Sequence, residues 1–113
     1  MIEPNTFIVG DCLEIMRGMP DRSVDLVVGS PPYEAARTYG IGIKLKGQAW
    51  VDWMMERWVE MQRISRGAVV MVVEGRTRNY RYSGTPLLLG ADLIRAGFNL
   101  RKPGSYLSLI HIS

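Results

Sequence analysis

The sequence predicts one α/β layered domain on a mostly parallel sheet, and three observations predict it. Two short apolar runs read as strands: Val24 to Gly29, which alternates too little to leave one face in water and so reads as buried on both faces, and Ala68 to Val73, the most apolar. Between them Trp50, Trp53, Met54, Trp58 and Met61 recur at helical spacing. Strand, helix and strand in that order make the crossover that parallel strands require. At 113 residues, with 47% hydrophobic and 22% charged side chains, the chain is ordinary globular material, long enough for one domain or a piece of one.

In chain order, Phe7-Ile8-Val9 reads as a first short strand closed by Gly10. Asp11 follows as a cap for a helical turn through Leu13, Ile15 and Met16, broken at Gly18-Met19-Pro20-Asp21. The Val24 to Gly29 strand delivers Ser30 to the carboxyl edge of the sheet. From Glu34 to Gln48 there is no periodicity; glycines at 40, 42 and 47 fit either a loop covering that edge or a plain surface loop. Gly40-Ile41-Gly42 is no dinucleotide fingerprint, since no apolar strand feeds into it.

Ala49 to Arg66 is expected to be an amphipathic helix with Glu56, Glu60, Gln62 and Arg63 outward. Its tryptophans have faces that suit stacking on bases, but at this spacing core is the weightier reading. Gly67 is expected to end the helix as a C-cap glycine, and Ala68 to Val73 forms the next strand. Gly75 to Pro86 reads as a loop. Pro86 then opens a helix with Leu87, Leu88, Leu89, Leu93 and Ile94 on its apolar face up to Gly97, and Phe98 to Arg101 is a fourth strand candidate.

Composition excludes several roles. A single cysteine, Cys12, cannot pair within the chain, and one histidine without a cysteine cluster cannot build a structural zinc site, so a reducing, cytoplasmic setting and no metal are expected. No basic-then-apolar signal opens the chain, and the longest apolar run is too short for a bilayer, so no membrane role is expected. Net charge is +3, unevenly spread: residues 1–74 hold eight Lys/Arg against ten Asp/Glu, and residues 75–113 hold six against one. Arg76, Arg78 and Arg81, interleaved with Tyr80 and Tyr82, combine phosphate attraction with stacking faces. A solvated loop has equal weight there.

Ser30-Pro31-Pro32-Tyr33 is the stretch with the most chemistry. Neither proline has an N–H, and each biases its predecessor to extended backbone, so the strand stops with carbonyls that must bond something else. A hydroxyl before them and an aromatic ring after them suit a planar ring carrying an amino group, such as a nucleobase.

These residues resemble a known family. Gly10-Asp11-Cys12-Leu13-Glu14, Met19-Pro20-Asp21, Ser23 to Val28 and Ser30-Pro31-Pro32-Tyr33 are similar to the opening of site-specific DNA amino-methyltransferases, which methylate N4 of cytosine or N6 of adenine. The later Trp-rich helix, the Gly67 to Val73 strand, Asp92 to Phe98 and Arg101-Lys102-Pro103 agree, so the likeness runs over about residues 6–103. It implies a Rossmann-like, S-adenosylmethionine-dependent methyltransferase fold, incomplete here, over residues 1–105, with 106–113 a tail foreign to that domain. The family's Phe-x-Gly-x-Gly loop and its DNA-reading region are not in this sequence, which is therefore expected to be an N-terminal fragment, inactive in isolation. Two sheet strands would then be missing between Phe7–Val9 and Val24–Val28, leaving an exposed edge and a marginal, aggregation-prone chain.

The resemblance also assigns roles. Ser30 and the Pro31 carbonyl would hold the two amino hydrogens of the target base, Pro32 would stiffen the turn, and Tyr33 would stack on the base once turned out of double-stranded DNA. Serine in first place leans toward cytosine N4, with adenine N6 second. Asp11 would lie near the adenine of S-adenosylmethionine, with a simple helix cap as the equal alternative, and Asp25 is structural. Arg76, Arg78, Tyr80 and Arg81 are the expected DNA contacts. The competing function is a catalytically inactive nucleic-acid-binding module.

Overall fold

The computed structural model describes residues 3–33 and 45–101. Three helices and two small sheets make up this part: α1 (Cys12–Arg17), β1 (Val27–Gly29), α2 (Gln48–Ile64), β2 (Val69–Met71), β3 (Thr77–Arg78), β4 (Arg81–Tyr82) and α3 (Thr85–Arg95). β1 and β2 pair in parallel, with Val27, Val28 and Gly29 opposite Val69, Val70 and Met71. The expected α/β crossover unit is therefore present, with α2 as its helix.

α2 is the centre of the core. Trp50, Val51, Met54, Trp58, Met61 and Ile64 are its buried side chains, and they meet Met16 of α1 and Leu89 and Leu93 of α3. Val27, Val69 and Met71 press on this cluster from the strand pair. The tryptophan stripe is thus mostly core, as its spacing predicts. Trp53 is the half-buried exception, with the Arg57 guanidinium 3.9 Å above its ring, a cation–π contact.

Asp11 caps α1 as expected, its Oδ1 accepting from the Leu13 N–H at 2.9 Å. α3 ends in a Schellman turn: Gly97 takes φ +91°, its N–H donates to the Ile94 carbonyl, and the Phe98 N–H donates to the Leu93 carbonyl. Phe98 then folds back against the core.

Several expectations fail, each for a physical reason. Residues 7–9 form no strand: they have no ladder partner among the described residues, and Phe7 and Val9 stand fully exposed. Residues 98–101 likewise find no strand to pair with among the described residues. The strand expected at 24–29 is regular only over Val27–Gly29, preceded by a parallel bridge between Val24 and Ser65. It is buried on one face only, because α2 covers that side; Leu26, Val28, Val70 and Val72 are 53%, 64%, 48% and 46% exposed.

Gly67 is not the C-cap of α2. Ser65 holds that position in extended backbone, and a Cβ on Gly67 would sit 2.5 Å from the Asp25 carbonyl oxygen, so the glycine is there for close approach of two chain segments. Arg63 does not point out to water. Its guanidinium donates to the Met16 and Met19 carbonyls at 2.7 and 2.8 Å and pairs with Asp21 and Glu60, strapping the end of α1 to α2. The hydrogen bonds it donates to Glu60 and Asp21 raise its pKa above the ordinary arginine value. On α3 only Leu89 and Leu93 of the expected apolar face are buried, while Leu87, Leu88 and Ile94 are exposed. Of the loop expected from Glu34 to Gln48, residues 34–44 lie outside the described residues, as does the tail at 106–113, and Gln48 already opens α2.

Candidate functional site

The parallel pairing of β1 and β2 brings both strand ends to one edge, and the tetrapeptide leaves from there. The Val72 N–H donates to the Gly29 carbonyl at 3.0 Å, the last backbone bond of the pair. One residue on, Ser30 Oγ lies 3.4 Å from the Val72 carbonyl oxygen and 3.4 Å from the Tyr33 hydroxyl. Ser30 is exposed; Pro31, Pro32 and Tyr33 are half-buried. The Pro32 carbonyl accepts the indole N–H of Trp50 at 2.9 Å. Among the described residues no donor reaches the Pro31 carbonyl. The edge therefore offers a hydroxyl, a carbonyl and an aromatic ring within four consecutive residues.

Trp50 is the member of this group that the sequence assigns mainly to the core, with no link to the tetrapeptide. It sits in the first turn of α2, fully buried, and touches the tetrapeptide through its one polar atom. The signal available in advance was general: a buried indole seldom goes without an acceptor, and strand-end prolines leave acceptors spare.

The segment after β2 is not the featureless loop expected between Gly75 and Pro86. It leaves the same edge and folds into a hairpin, with Thr77 opposite Tyr82 and Arg78 opposite Arg81. Its two-residue turn, Asn79-Tyr80, has φ +54° and +61°, the left-handed pair of a type I′ turn. A tyrosine in that region of backbone is strained, and this one is fully exposed. The Ser83 N–H donates to the Arg76 carbonyl at 2.8 Å, and the Arg76 N–H to Ser83 Oγ at 2.9 Å, closing the base of the hairpin. Tyr82 lies over Gly75, where a Cβ would come within 2.5 Å of its ring. Arg78 and Arg81 are thus exposed and directly opposed, an arrangement that costs stability without an anion between them.

Asp11 stands at the start of α1, exposed, with Oδ1 committed to the cap. Asp25 is paired with Arg66, whose backbone N–H donates to the Val24 carbonyl at 2.7 Å; this is a structural clip. Cys12 is free and exposed. A wide cavity of about 1130 Å³, lined in part by Ile8, Ile15, Ser23, Val24 and Arg66, opens at the other end of the strand pair and includes none of the expected site residues. No helix of the described residues is long and apolar enough to cross a membrane.

Known proteins are similar to this chain. A DNA adenine methyltransferase of Escherichia coli strain K12, YhdJ, is 31% identical over 78 residues, which is 68% of this chain and 26% of that protein. The type II methyltransferase M.SfiI of Streptomyces fimbriatus is 42% identical over 55 residues, 49% of this chain and 13% of its own length. The chain is homologous to DNA methyltransferases. It spans about a quarter or less of the length of these two relatives. No family model matches it. Among solved structures, the cytosine-N4-specific PvuII DNA methyltransferase superposes on 77% of the chain, and on 32% of its own, with a TM-score of 0.65 at 24% identity. The fold of this homologue is accordingly part of a Rossmann-like methyltransferase α/β fold, with the β1–α2–β2 unit as its recognisable centre.

Proposed function

We propose that the chain carries the base-holding part of an enzyme that methylates the exocyclic amino group of a DNA base, cytosine N4 ahead of adenine N6, with S-adenosylmethionine as donor. The observation that carries this reading is the Ser30 hydroxyl at the carboxyl edge of a parallel pair, 3.4 Å from the Tyr33 hydroxyl, with the Pro31 carbonyl next in the chain and the Pro32 carbonyl taken by Trp50. Homology to a DNA adenine methyltransferase and structural likeness to a cytosine-N4-specific one support the amino group as the target class.

The amino nitrogen of such a base is a poor nucleophile, because its lone pair is delocalised into the ring. Two acceptors on its hydrogens draw it toward tetrahedral geometry and fix its direction. Ser30 Oγ and the Pro31 carbonyl supply them, Tyr33 stacks on the extruded ring, and Pro32 keeps the turn stiff. The serine hydroxyl also donates, which suits the ring nitrogen beside the amino group of either base; the order, cytosine before adenine, rests on the resemblance of Ser30-Pro31-Pro32-Tyr33 to the family's cytosine enzymes. When bound, S-adenosylmethionine supplies an electrophilic methyl group for direct transfer. Asp11 has a carboxylate oxygen beyond the one spent on its cap, so its chemistry fits a polar contact to that donor. Cys12 has no part in this chemistry. Arg76, Arg78, Tyr80 and Arg81 meet DNA, the opposed arginines straddling phosphate.

The test is incubation of a complete methyltransferase that carries these residues with double-stranded DNA and methyl-labelled S-adenosylmethionine, followed by digestion to nucleosides. Labelled N4-methylcytosine is expected; labelled N6-methyladenine alone would move the target to adenine. DNA binding without label, and without binding of the donor in calorimetry, would favour the second reading, an inactive nucleic-acid-binding module, which the exposed arginine hairpin supports. Replacing Arg78 and Arg81 by alanine is expected to reduce the slope of log affinity against log salt by roughly one for each phosphate no longer neutralised, and an unchanged slope removes the hairpin from the interface.

A further inference from the structure

We infer that Trp50 is a positioning residue for the tetrapeptide: its indole N–H fixes the Pro32 carbonyl and so leaves the Pro31 carbonyl as the acceptor for substrate. The inference rests on the reading of Ser30–Tyr33 as the holder of an amino group. Backbone ladders cannot hold this turn, because neither proline has an N–H to donate. The structure holds it from its ends instead. Before it, the Gly29 carbonyl takes the Val72 N–H at 3.0 Å; within it, the Pro32 carbonyl takes the indole at 2.9 Å.

The indole is anchored in the core, with no exposed surface. Packing fixes the ring among the α2 and α3 side chains, so the direction of its N–H is set by the core rather than by solvent. A buried N–H without an acceptor is costly, so the bond is required from both ends. Its consequence is a choice between neighbours. Two successive proline carbonyls would otherwise compete for one amino hydrogen, and occupation of the second gives the base a single register against Ser30.

The decisive variant replaces Trp50 with benzothienylalanine, which keeps the shape of the ring and substitutes sulfur for the N–H. Amide hydrogen exchange is then followed by NMR. Exchange at Val72, whose N–H donates to the Gly29 carbonyl at the base of the turn, is expected to rise by roughly threefold to tenfold, the range of one net hydrogen bond, while the Leu89 and Leu93 amides in the core keep their protection. Unchanged exchange at Val72, or a rise shared equally by Leu93, would overturn the inference, since a merely space-filling tryptophan predicts one or the other. Trp50→Phe removes bulk as well and is expected to loosen both regions; should it fail to fold, the isostere still decides. In the labelled-donor assay the isostere is expected to lower kcat and leave KM for S-adenosylmethionine unchanged, and a raised KM at constant kcat would also overturn the role. Absence of transfer by the complete enzyme with Trp50 unaltered would instead count against the methyltransferase reading, with the exchange result standing by itself.

Discussion

Val27 and Val28 are neighbours in sequence and of one residue type, yet Val27 packs beneath α2 while Val28 is 64% exposed. The same holds across the pair for Val69 and Val70. The inner face has the tryptophans and methionines of α2 against it; the outer face, with Leu26, Val28, Val70 and Val72, has water. A step of one residue, rather than any difference in hydrophobicity, separates the two environments, because strand side chains alternate. An apolar strand states that both faces tolerate burial, and the helices present decide which face receives it.

The largest break in this contrast is expected on the inner side. Trp50→Ala removes the largest fully buried side chain and a donor together, and is expected to cost about 3–5 kcal/mol, enough to unfold a domain this small. Loss of cooperative urea unfolding and of near-ultraviolet dichroism would show it. Gly67→Ala comes next: the added methyl meets the Asp25 carbonyl oxygen where the segments before β1 and after α2 touch, with an expected cost of about 1–3 kcal/mol and a lower urea midpoint. A midpoint that does not move would mean that this approach relaxes freely.

Val69→Ala and Val70→Ala sharpen the comparison most directly, being adjacent and chemically identical. The first is expected to cost about 1 kcal/mol, as for a half-buried valine, and the second within about 0.5 kcal/mol. Equal costs would erase the difference between the faces. The smallest effect on stability belongs to the double change Val28→Thr and Val70→Thr, opposite each other on the outer face. It is expected to leave the urea midpoint within error while reducing self-association in sedimentation, since it takes apolar area off an exposed surface.

Helices were legible because their signals are local. The apolar period marked α2 to within two residues, and Asp11 and Gly97 marked a beginning and an end. Strands were legible only in kind. Residues 7–9 and 98–101 have strand composition, but a strand is made by its partner, which composition does not contain. The β3–β4 hairpin was hidden for the opposite reason: its type I′ turn is built from Asn79 and Tyr80 without the glycine that usually announces one. Gly67 looks like a helix stop in the sequence because the carbonyl it makes room for belongs to residue 25. At the candidate site, the tetrapeptide was visible from its prolines, whereas its bond to Trp50 joins residues 18 apart and could be found only in three dimensions.

The parallel register of β1 and β2 also sets an order of events during folding. Ser30 and Val72, which meet at the strand ends, are 42 residues apart, and every contact across the pair spans a loop of similar length, whereas α2 forms from contacts within a few residues. Loop closure on that scale waits until α2 has condensed with its neighbours and drawn the strands to its inner face. Pulsed hydrogen labelling during refolding should therefore protect the α2 amides before those of Val27 to Gly29. The turn that follows Gly29 is assembled last, so a substitution that slows the docking of α2 delays the appearance of the site without altering its final shape.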